Sequence, residues 1–419
     1  MHQANRVIII GGGVIGAFTA YYLQKKGWAV TLLEKDRFGC GASHGNCGLI
    51  VPSHILPLNS PKMLIKGFKW LFKKDAPLLI KPRFDPDLFN WLGQFVHHCR
   101  RKNIMASALG RAALLKDAID LHRSFIQEEG LECDWEILGA LHAFRSFDEL
   151  ENHKAVDAFT AQFGISGKMM NREDALNIEP TLGNDIVGAW FYNQSAQLRP
   201  EALMKDLKRV LVNRNIEIVE QAEVKGFRTN NSRAVAVATN LGTFEAEQFV
   251  VATGAWAPLL GEAMGYRISI QPGKGYSVTM QRPSGGPSIP CFFEEAKVVA
   301  TPWQSGLRLG GTMEFAGYDE SLNRHRLEAL LQASKRYLKR MDLSGIEEEW
   351  CGWRPMTPDG LPIIDRLPTL KNVMIAAGHN MEGISMAPGT GKLVSEMVSG
   401  EPPHIDPFPY RIKRAELFG

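Results

Sequence analysis

Residues 6–34 read RVIIIGGGVIGAFTAYYLQKKGWAVTLLE. The run Arg6–Ile10 is dominated by Val and Ile and closed by glycine, the pattern of a strand buried on both faces. Residues 14–26 carry a helical pattern, and residues 30–33 form a second short apolar run. Strand, helix and strand make one βαβ unit with a parallel sheet at its centre. Gly11, Gly13 and Gly16 form G-x-G-x-x-G between the first strand and the helix. Gly11 permits the tight turn, Gly13 lets backbone approach a pyrophosphate, and Gly16 lets helix pack closely on strand. Val14 and Ile15 open the helix, whose unpaired N–H groups and positive dipole end favour phosphate. Glu34 ends the second run, where a carboxylate accepts hydrogen bonds from a ribose, and Lys35 follows it. The unit reads as a dinucleotide site without provision for a 2′-phosphate.

Outward from this unit, a second glycine-rich loop runs through Gly41-Ala42-Ser43-His44-Gly45-Asn46-Cys47-Gly48. It can offer a further set of backbone N–H groups to a long, extended dinucleotide. Residues 55–92, rich in Pro, Lys and aromatics, read as an excursion from a compact fold. Residues 109–129 predict one amphipathic helix, with Leu114, Leu115, Ala118, Leu121, His122 and Phe125 along one side. Helices are also predicted over 200–213, 325–340 and 389–399. Strands are predicted over 216–219, 234–239, 248–252 and 373–377, with antiparallel strands across 271–311. This order implies an α/β chain: a parallel-sheet domain assembled from separated segments, interrupted by a mixed antiparallel lobe.

The bulk numbers narrow the function. A chain of 419 residues is long enough for two lobes, and 45% hydrophobic with 22% charged residues is ordinary globular composition. The formal charge is +3, with no concentrated basic stripe, so nucleic acid is not an expected partner. Six scattered cysteines without a C-x-x-C pair argue against zinc and against a disulfide scaffold. No signal-peptide pattern opens the chain and no apolar run is long enough to span a bilayer, so a cytoplasmic protein is expected.

The chain resembles the D-amino-acid oxidase and glycine oxidase family of flavoenzymes, and within it the bacterial D-amino-acid dehydrogenases. The matching stretches are spread along it: residues 10–16 with Glu34, 41–48, 251–257, 272–277, 353–362 and 378–392. The resemblance implies FAD as cofactor. It also implies a Rossmann-like FAD-binding domain made of 1–85, 195–265 and 350–419, with 86–194 and 266–349 as a mixed antiparallel-sheet substrate domain. Against the cofactor it places the glycines and Glu34 already named, together with Val14, Ile15, Lys35, Gly41, Ala42, Ser43, Asn46, Gly48, Val224, Thr253, Gly254 and Trp256. His44 is expected as a noncovalent neighbour of the flavin. Gly378, Met381, Glu382, Gly383 and Ile384 belong to the closing flavin motif, whose helix N-terminus would face the pyrimidine end of the ring. Glu382 departs from the apolar residue expected there; it either borders the substrate or points to solvent, and solvent is the expectation.

Gly352-Trp353-Arg354-Pro355-Met356-Thr357-Pro358-Asp359-Gly360 carries the substrate signal. Each proline restricts the residue before it, so Arg354 is placed rigidly. Its planar fork matches a carboxylate, and the resemblance assigns it the substrate carboxylate. Tyr276, in Lys274-Gly275-Tyr276-Ser277, is a second candidate at the substrate pocket. The implied reaction moves a hydride from the Cα of a D-amino acid, D-proline and cis-4-hydroxy-D-proline among the candidates, to the flavin. Two alternatives stay open: a glycine- or sarcosine-type amine oxidase using oxygen, and a flavin-binding subunit of a larger dehydrogenase complex. Lys62, Lys66, Lys69 and Lys73 share one face of a predicted helix with apolar residues opposite. This pattern suggests either peripheral contact with the inner membrane and delivery of electrons to quinone, or a helix packed on its own domain with a solvated lysine face.

Overall fold

The computed structural model describes residues 5–61 and 77–414. In chain order the elements that build the site begin with β1 (Arg6–Ile10), α1 (Val14–Lys25), β2 (Ala29–Leu33), α2 (Arg101–Leu115), α3 (Ala118–Glu129) and β3 (Ala140–Phe144). They continue with β4 (Gln248–Val251), β5 (Gln271–Met280), β6 (Cys291–Phe293), β7 (Val298–Trp303) and β8 (Gly306–Phe315). The last are α4 (Arg324–Tyr337), β9 (Ile346–Met356), β10 (Val373–Ala377) and α5 (Gly383–Ser399).

A six-stranded sheet has the order Ile363–Arg366, β10, β4, β1, β2, Glu217–Val219. Its pairs are parallel from β10 to Glu217–Val219, and Ile363–Arg366 adds an antiparallel edge. Segments far apart in sequence therefore complete one parallel sheet around the βαβ unit. Glycine sets the tightest approaches there. A Cβ on Gly16 would lie 2.0 Å from the Gly11 carbonyl oxygen, and one on Gly391 of α5 would lie 2.6 Å from the Phe18 carbonyl carbon of α1.

A 9-stranded sheet runs β9, β5, β8, β7, β6, β3, Gly188–Tyr192, Lys168–Asn171, with Leu78–Ile80 added beside β8. The segment boundaries expected at 85 and 350 cut across this sheet, because Leu78–Ile80 and all of β9 hydrogen-bond within it. Its register decides which side chains meet the site. Trp350, Ser277, Gly310, Val299, Phe292 and His142 pair successively across six strands and so share one face. Arg354, four residues along β9 from Trp350, lies on that face too. On the other face Tyr276, Val298 and Phe293 pack with Leu327, Leu330 and Tyr337 of α4.

Two elements differ from the sequence reading. The helix expected over 109–129 is two helices, α2 and α3, broken at Lys116–Asp117, where the Asp117 carbonyl accepts from Leu121 N–H at 2.9 Å. Leu114, Leu115, Ala118, His122 and Phe125 are still buried across the break. The last helix begins at Gly383, six residues before the expected start, since Pro388 removes one N–H but leaves the first turn intact. The basic pattern at Lys62–Lys73 lies outside the described residues.

Candidate active site

A cavity of ≈ 820 Å³ runs from the C-terminal ends of β1 and β2 to the inner face of the 9-stranded sheet. At the dinucleotide end, Gly11 holds φ +112°, and a Cβ there would lie 2.5 Å from the Ala252 carbonyl oxygen. Glu34 accepts from Gly12 N–H at 2.7 Å and from Asp36 N–H at 2.9 Å, which fixes its carboxylate at the cavity wall. Burial raises the Glu34 carboxyl above its ordinary range. The Ser43 hydroxyl accepts from Val14 N–H at 2.9 Å and ties the second glycine-rich loop to the start of α1. Asn46 staples that loop to itself, donating to the Ala42 and Ser43 carbonyls and accepting from Gly48 N–H. Lys35 Nζ sits 4.3 Å over the Trp256 ring.

The cavity brings together Gly11, Gly13, Val14, Ile15, Glu34, Lys35, Gly41, Ala42, Ser43, Asn46, Gly48, Val224, Thr253, Gly254, Trp256, Met381, Glu382, Gly383 and Ile384. Three expected residues do not line it. Gly16 lies in the first turn of α1 on its strand-facing side, where its lack of a side chain permits the packing described above. Gly378, at φ +82°, makes the turn after β10, and a Cβ there would lie 2.5 Å from Thr357 Cγ2. His44 directs Nε2 to Glu348 Oε1 at 2.7 Å, an ion-pairing partner on β9, and not into the cavity.

Arg354 does point into the cavity. Its guanidinium lies across Gly275 of β5, where a Cβ would come within 2.0 Å of Nη1, and Nη1 donates to the Thr312 carbonyl of β8 at 2.9 Å. Among the described residues no carboxylate lies within ion-pairing distance of it. Burial depresses its pKa below the usual guanidinium value, yet a guanidinium stays charged in proteins, so with no carboxylate beside it among the described residues the site carries an uncompensated positive charge. Thr253 Oγ1 and Thr312 Oγ1 are buried without a hydrogen-bond partner among the described residues, and both residues line the same cavity.

Two readings are corrected. Tyr276 is on the α4 side of β5, opposite to Arg354, and its hydroxyl donates to Glu314 at 2.8 Å. Strand parity places it there: Tyr276 is among the residues lining the cavity, but its phenol is turned towards α4 and held by Glu314. Glu382 is buried, not in solvent. It accepts from His54 Nδ1 at 3.0 Å, and Arg111 Nη2 stands 3.9 Å away. Burial alone would raise its carboxyl, but His54 and Arg111 more than offset this and hold it below the usual range.

Sequence reasoning missed His54, Arg111 and Arg308. Arg308 is fully buried and donates to the His44 and Asn46 carbonyls at 2.8 and 2.9 Å, and to Thr279 Oγ1 at 2.8 Å, pinning the second glycine-rich loop to the large sheet. No local motif marks these residues, because every partner is distant in sequence. His379, in contrast, is a packing group: burial lowers its pKa to about 3, and Nε2 lies 3.0 Å from Thr390 Oγ1.

A glycine cradle beside a fixed strand-end carboxylate fits FAD, and known proteins agree. Residues 6–397 match the family described as FAD dependent oxidoreductase. A protein named D-amino acid dehydrogenase from Paramagnetospirillum magneticum is 32% identical over 96% of both chains, and one of the same name from Vibrio vulnificus is 28% identical over 97% of this chain and 99% of its own. Among solved structures, glycine oxidase from Geobacillus kaustophilus superposes with TM-score 0.79 at 23% identity, covering 98% of this chain and 99% of that one. L-proline dehydrogenase from P. horikoshii gives TM-score 0.72 at 23% identity, covering 99% of each chain. The chain belongs to the FAD dependent oxidoreductase family.

Proposed function

We propose that the enzyme dehydrogenates a D-amino acid, with a compact proline-like substrate preferred. The observation that carries this is Arg354: a buried guanidinium turned into the cavity, with one hydrogen bond to protein and no carboxylate partner among the described residues. The similarity to proteins named D-amino acid dehydrogenase along the whole chain supports the same substrate class.

In this reading Arg354 takes the substrate carboxylate bidentately, and the Thr312 carbonyl keeps the fork from swinging away. FAD, when bound, supplies a two-electron acceptor for the hydride leaving Cα. The glycine cradle, Glu34 and the loop 41–48 would hold it. The first-turn N–H groups of α5 and the dipole of that helix place positive potential at the cavity wall. Positioning, more than proton transfer, is what the chain's residues provide. The imino acid product hydrolyses in water, or stays cyclic if the substrate is a secondary amine.

Electrons would pass on to a quinone or another carrier at a membrane surface. No helix among the described residues is long and apolar enough to cross a membrane. Exposed Phe84 and Phe89, in contact with each other at 6.3 Å, favour a surface association, as does the basic pattern at Lys62–Lys73. The proposal is tested by turnover of a panel of D- and L-amino acids with an artificial dye, with peroxide measured in parallel. Dye reduction by D-amino acids with little peroxide supports a dehydrogenase. Peroxide formed in step with turnover of glycine or sarcosine would replace it by an oxidase.

A further inference from the structure

The pairing of β5 with β8 breaks register beside Arg354. Tyr276 pairs with Gly311 but Lys274 pairs with Glu314, so two steps along β5 answer three along β8, and one extra residue is accommodated at Thr312–Met313. Thr312 sits in this bulge at φ +53°. In that left-handed region the Cβ crowds the following carbonyl oxygen, and glycine or asparagine is the usual occupant. Thr312 follows directly on Gly310-Gly311, and among the described residues it is the one β-branched side chain held at positive φ. The backbone at this position suits glycine, and a branched side chain there is strained.

Two groups of this one residue bear on the cavity. The Thr312 carbonyl accepts from Arg354 Nη1 at 2.9 Å, while Nη2 and Nε of Arg354 have no partner among the described residues. The Thr312 hydroxyl is buried in a residue 8% exposed, has no hydrogen-bond partner among the described residues, and belongs to the lining of the same cavity as Arg354. A threonine hydroxyl ordinarily finds a backbone partner close by in sequence. Oγ1 and the carbonyl oxygen of one residue are at most about 5 Å apart, so Oγ1 lies within roughly 8 Å of Nη1. One carboxylate spans that distance with a hydrogen bond at each end. Strain and an unsatisfied buried hydroxyl on the same side chain mark a place that a ligand completes.

We propose that Thr312 is a second substrate-binding residue, whose hydroxyl donates to one oxygen of the substrate carboxylate while the Arg354 fork holds the same group. A carboxylate only accepts and a guanidinium only donates, so the hydroxyl beside them turns its hydrogen to the carboxylate. The bulge thus gives Thr312 two tasks: its carbonyl fixes the guanidinium, and its hydroxyl adds a neutral donor that a straight β8 would not place there. This rests on the reading of Arg354 as the carboxylate anchor.

The test uses the FAD-loaded enzyme and two probes: D-proline, turned over with a dye acceptor, and cyclopentanecarboxylate, which keeps the ring and carboxylate but lacks the amine. Binding of the second is followed by flavin absorbance, without turnover. Thr312→Val keeps the branched shape and removes the hydroxyl. It should lower kcat/KM for D-proline and raise the Kd of cyclopentanecarboxylate by the same factor, about 10- to 100-fold, the range for a hydrogen bond to a charged group. Thr312→Ser should stay within about threefold of wild type for both. Because Val replaces an unpartnered hydroxyl by a methyl, the Tm of the ligand-free enzyme should stay level or rise, with FAD content unchanged. Thr312→Ala repeats the comparison if Thr312→Val does not fold. Unchanged binding of both probes in Thr312→Val overturns the proposal, as does a loss that follows a fall in Tm or FAD content. A loss for D-proline alone also overturns it, moving the hydroxyl to the amine, and so does an acid that wild type does not bind. Arg354→Met, measured alongside, separates the two readings: if it leaves the acid bound as tightly as before, the anchor reading itself fails, whereas loss in Arg354→Met without loss in Thr312→Val removes only the role of Thr312.

Discussion

Replacing Arg354 by Met removes the guanidinium while keeping most of the side-chain volume. The structure sets the size of the effect. Arg354 makes one hydrogen bond to protein, to the Thr312 carbonyl, and has no carboxylate partner among the described residues, so the fold loses little with it. The bound substrate loses more, because its carboxylate enters a buried site without a counter-charge. Breaking such a pair costs about 3–5 kcal/mol, a fall of roughly 10²- to 4 × 10³-fold in kcat/KM at about 1.4 kcal/mol per decade. The assay is kcat/KM per mole of bound FAD, with thermal stability and flavin content measured on the same preparation. Both should stay near wild type. Arg354→Lys should recover only part of the loss, since it restores charge without the planar fork. Near-normal kcat/KM per FAD in Arg354→Met, or a loss that follows flavin content, would refute the reasoning and make Arg354 a structural residue.

Gly275→Ala places a methyl where Nη1 of Arg354 now lies, 2.0 Å from the guanidinium; KM should rise at least about tenfold, the effect of shifting the anchor by about 1.4 kcal/mol, with FAD content unchanged. Arg308→Met releases the His44 and Asn46 carbonyls and leaves them buried, so flavin retention and Tm should both fall, as checked by dialysis and calorimetry. Asp359 and Arg414 form a buried bidentate pair that ties the C-terminal segment to the substrate loop. Burial pushes the Asp359 carboxyl up, and the Arg414 guanidinium more than offsets this, holding it below the usual range. A depressed folded pKa contributes stability above the unfolded value, about 3.9, and that contribution is lost as pH falls through the folded value. Arg414→Met should therefore lower Tm at neutral pH, with the gap to wild type narrowing below about pH 4.

The dinucleotide half was legible because its information is local. The order of strand, glycine turn, helix and strand-end carboxylate lies within residues 6–34, and short-range geometry decides each of those positions. Arg354 was legible for a related reason, since the prolines around it restrict its backbone. The substrate half was not. Every residue of β5 is buried, so the sequence carries no alternation to say which face Tyr276 takes. Only the pairing of Tyr276 with Gly311 and of Ser277 with Gly310 sets the parity that turns the phenol towards Glu314. His54 and Glu382 are 328 residues apart, and neither flanking sequence announces the other. Glu382 read alone is a polar residue in a loop, for which solvent is the usual destination. Arg308 and His44 are separated by 264 residues, and their contact arises only when the large sheet closes over the second glycine-rich loop.

The central claim, that Arg354 and the glycine cradle place the Cα–H of a D-amino acid against a bound flavin, is tested most directly by anaerobic mixing. The purified FAD-loaded enzyme is mixed with each enantiomer of proline and of alanine, and the flavin absorbance near 450 nm is followed without any external acceptor. The account predicts bleaching by a D-enantiomer, at a rate that saturates with its concentration, and no bleaching by the matching L-enantiomer. Bleaching by L-enantiomers alone, or none by any D-amino acid in a panel that includes cis-4-hydroxy-D-proline, would contradict it.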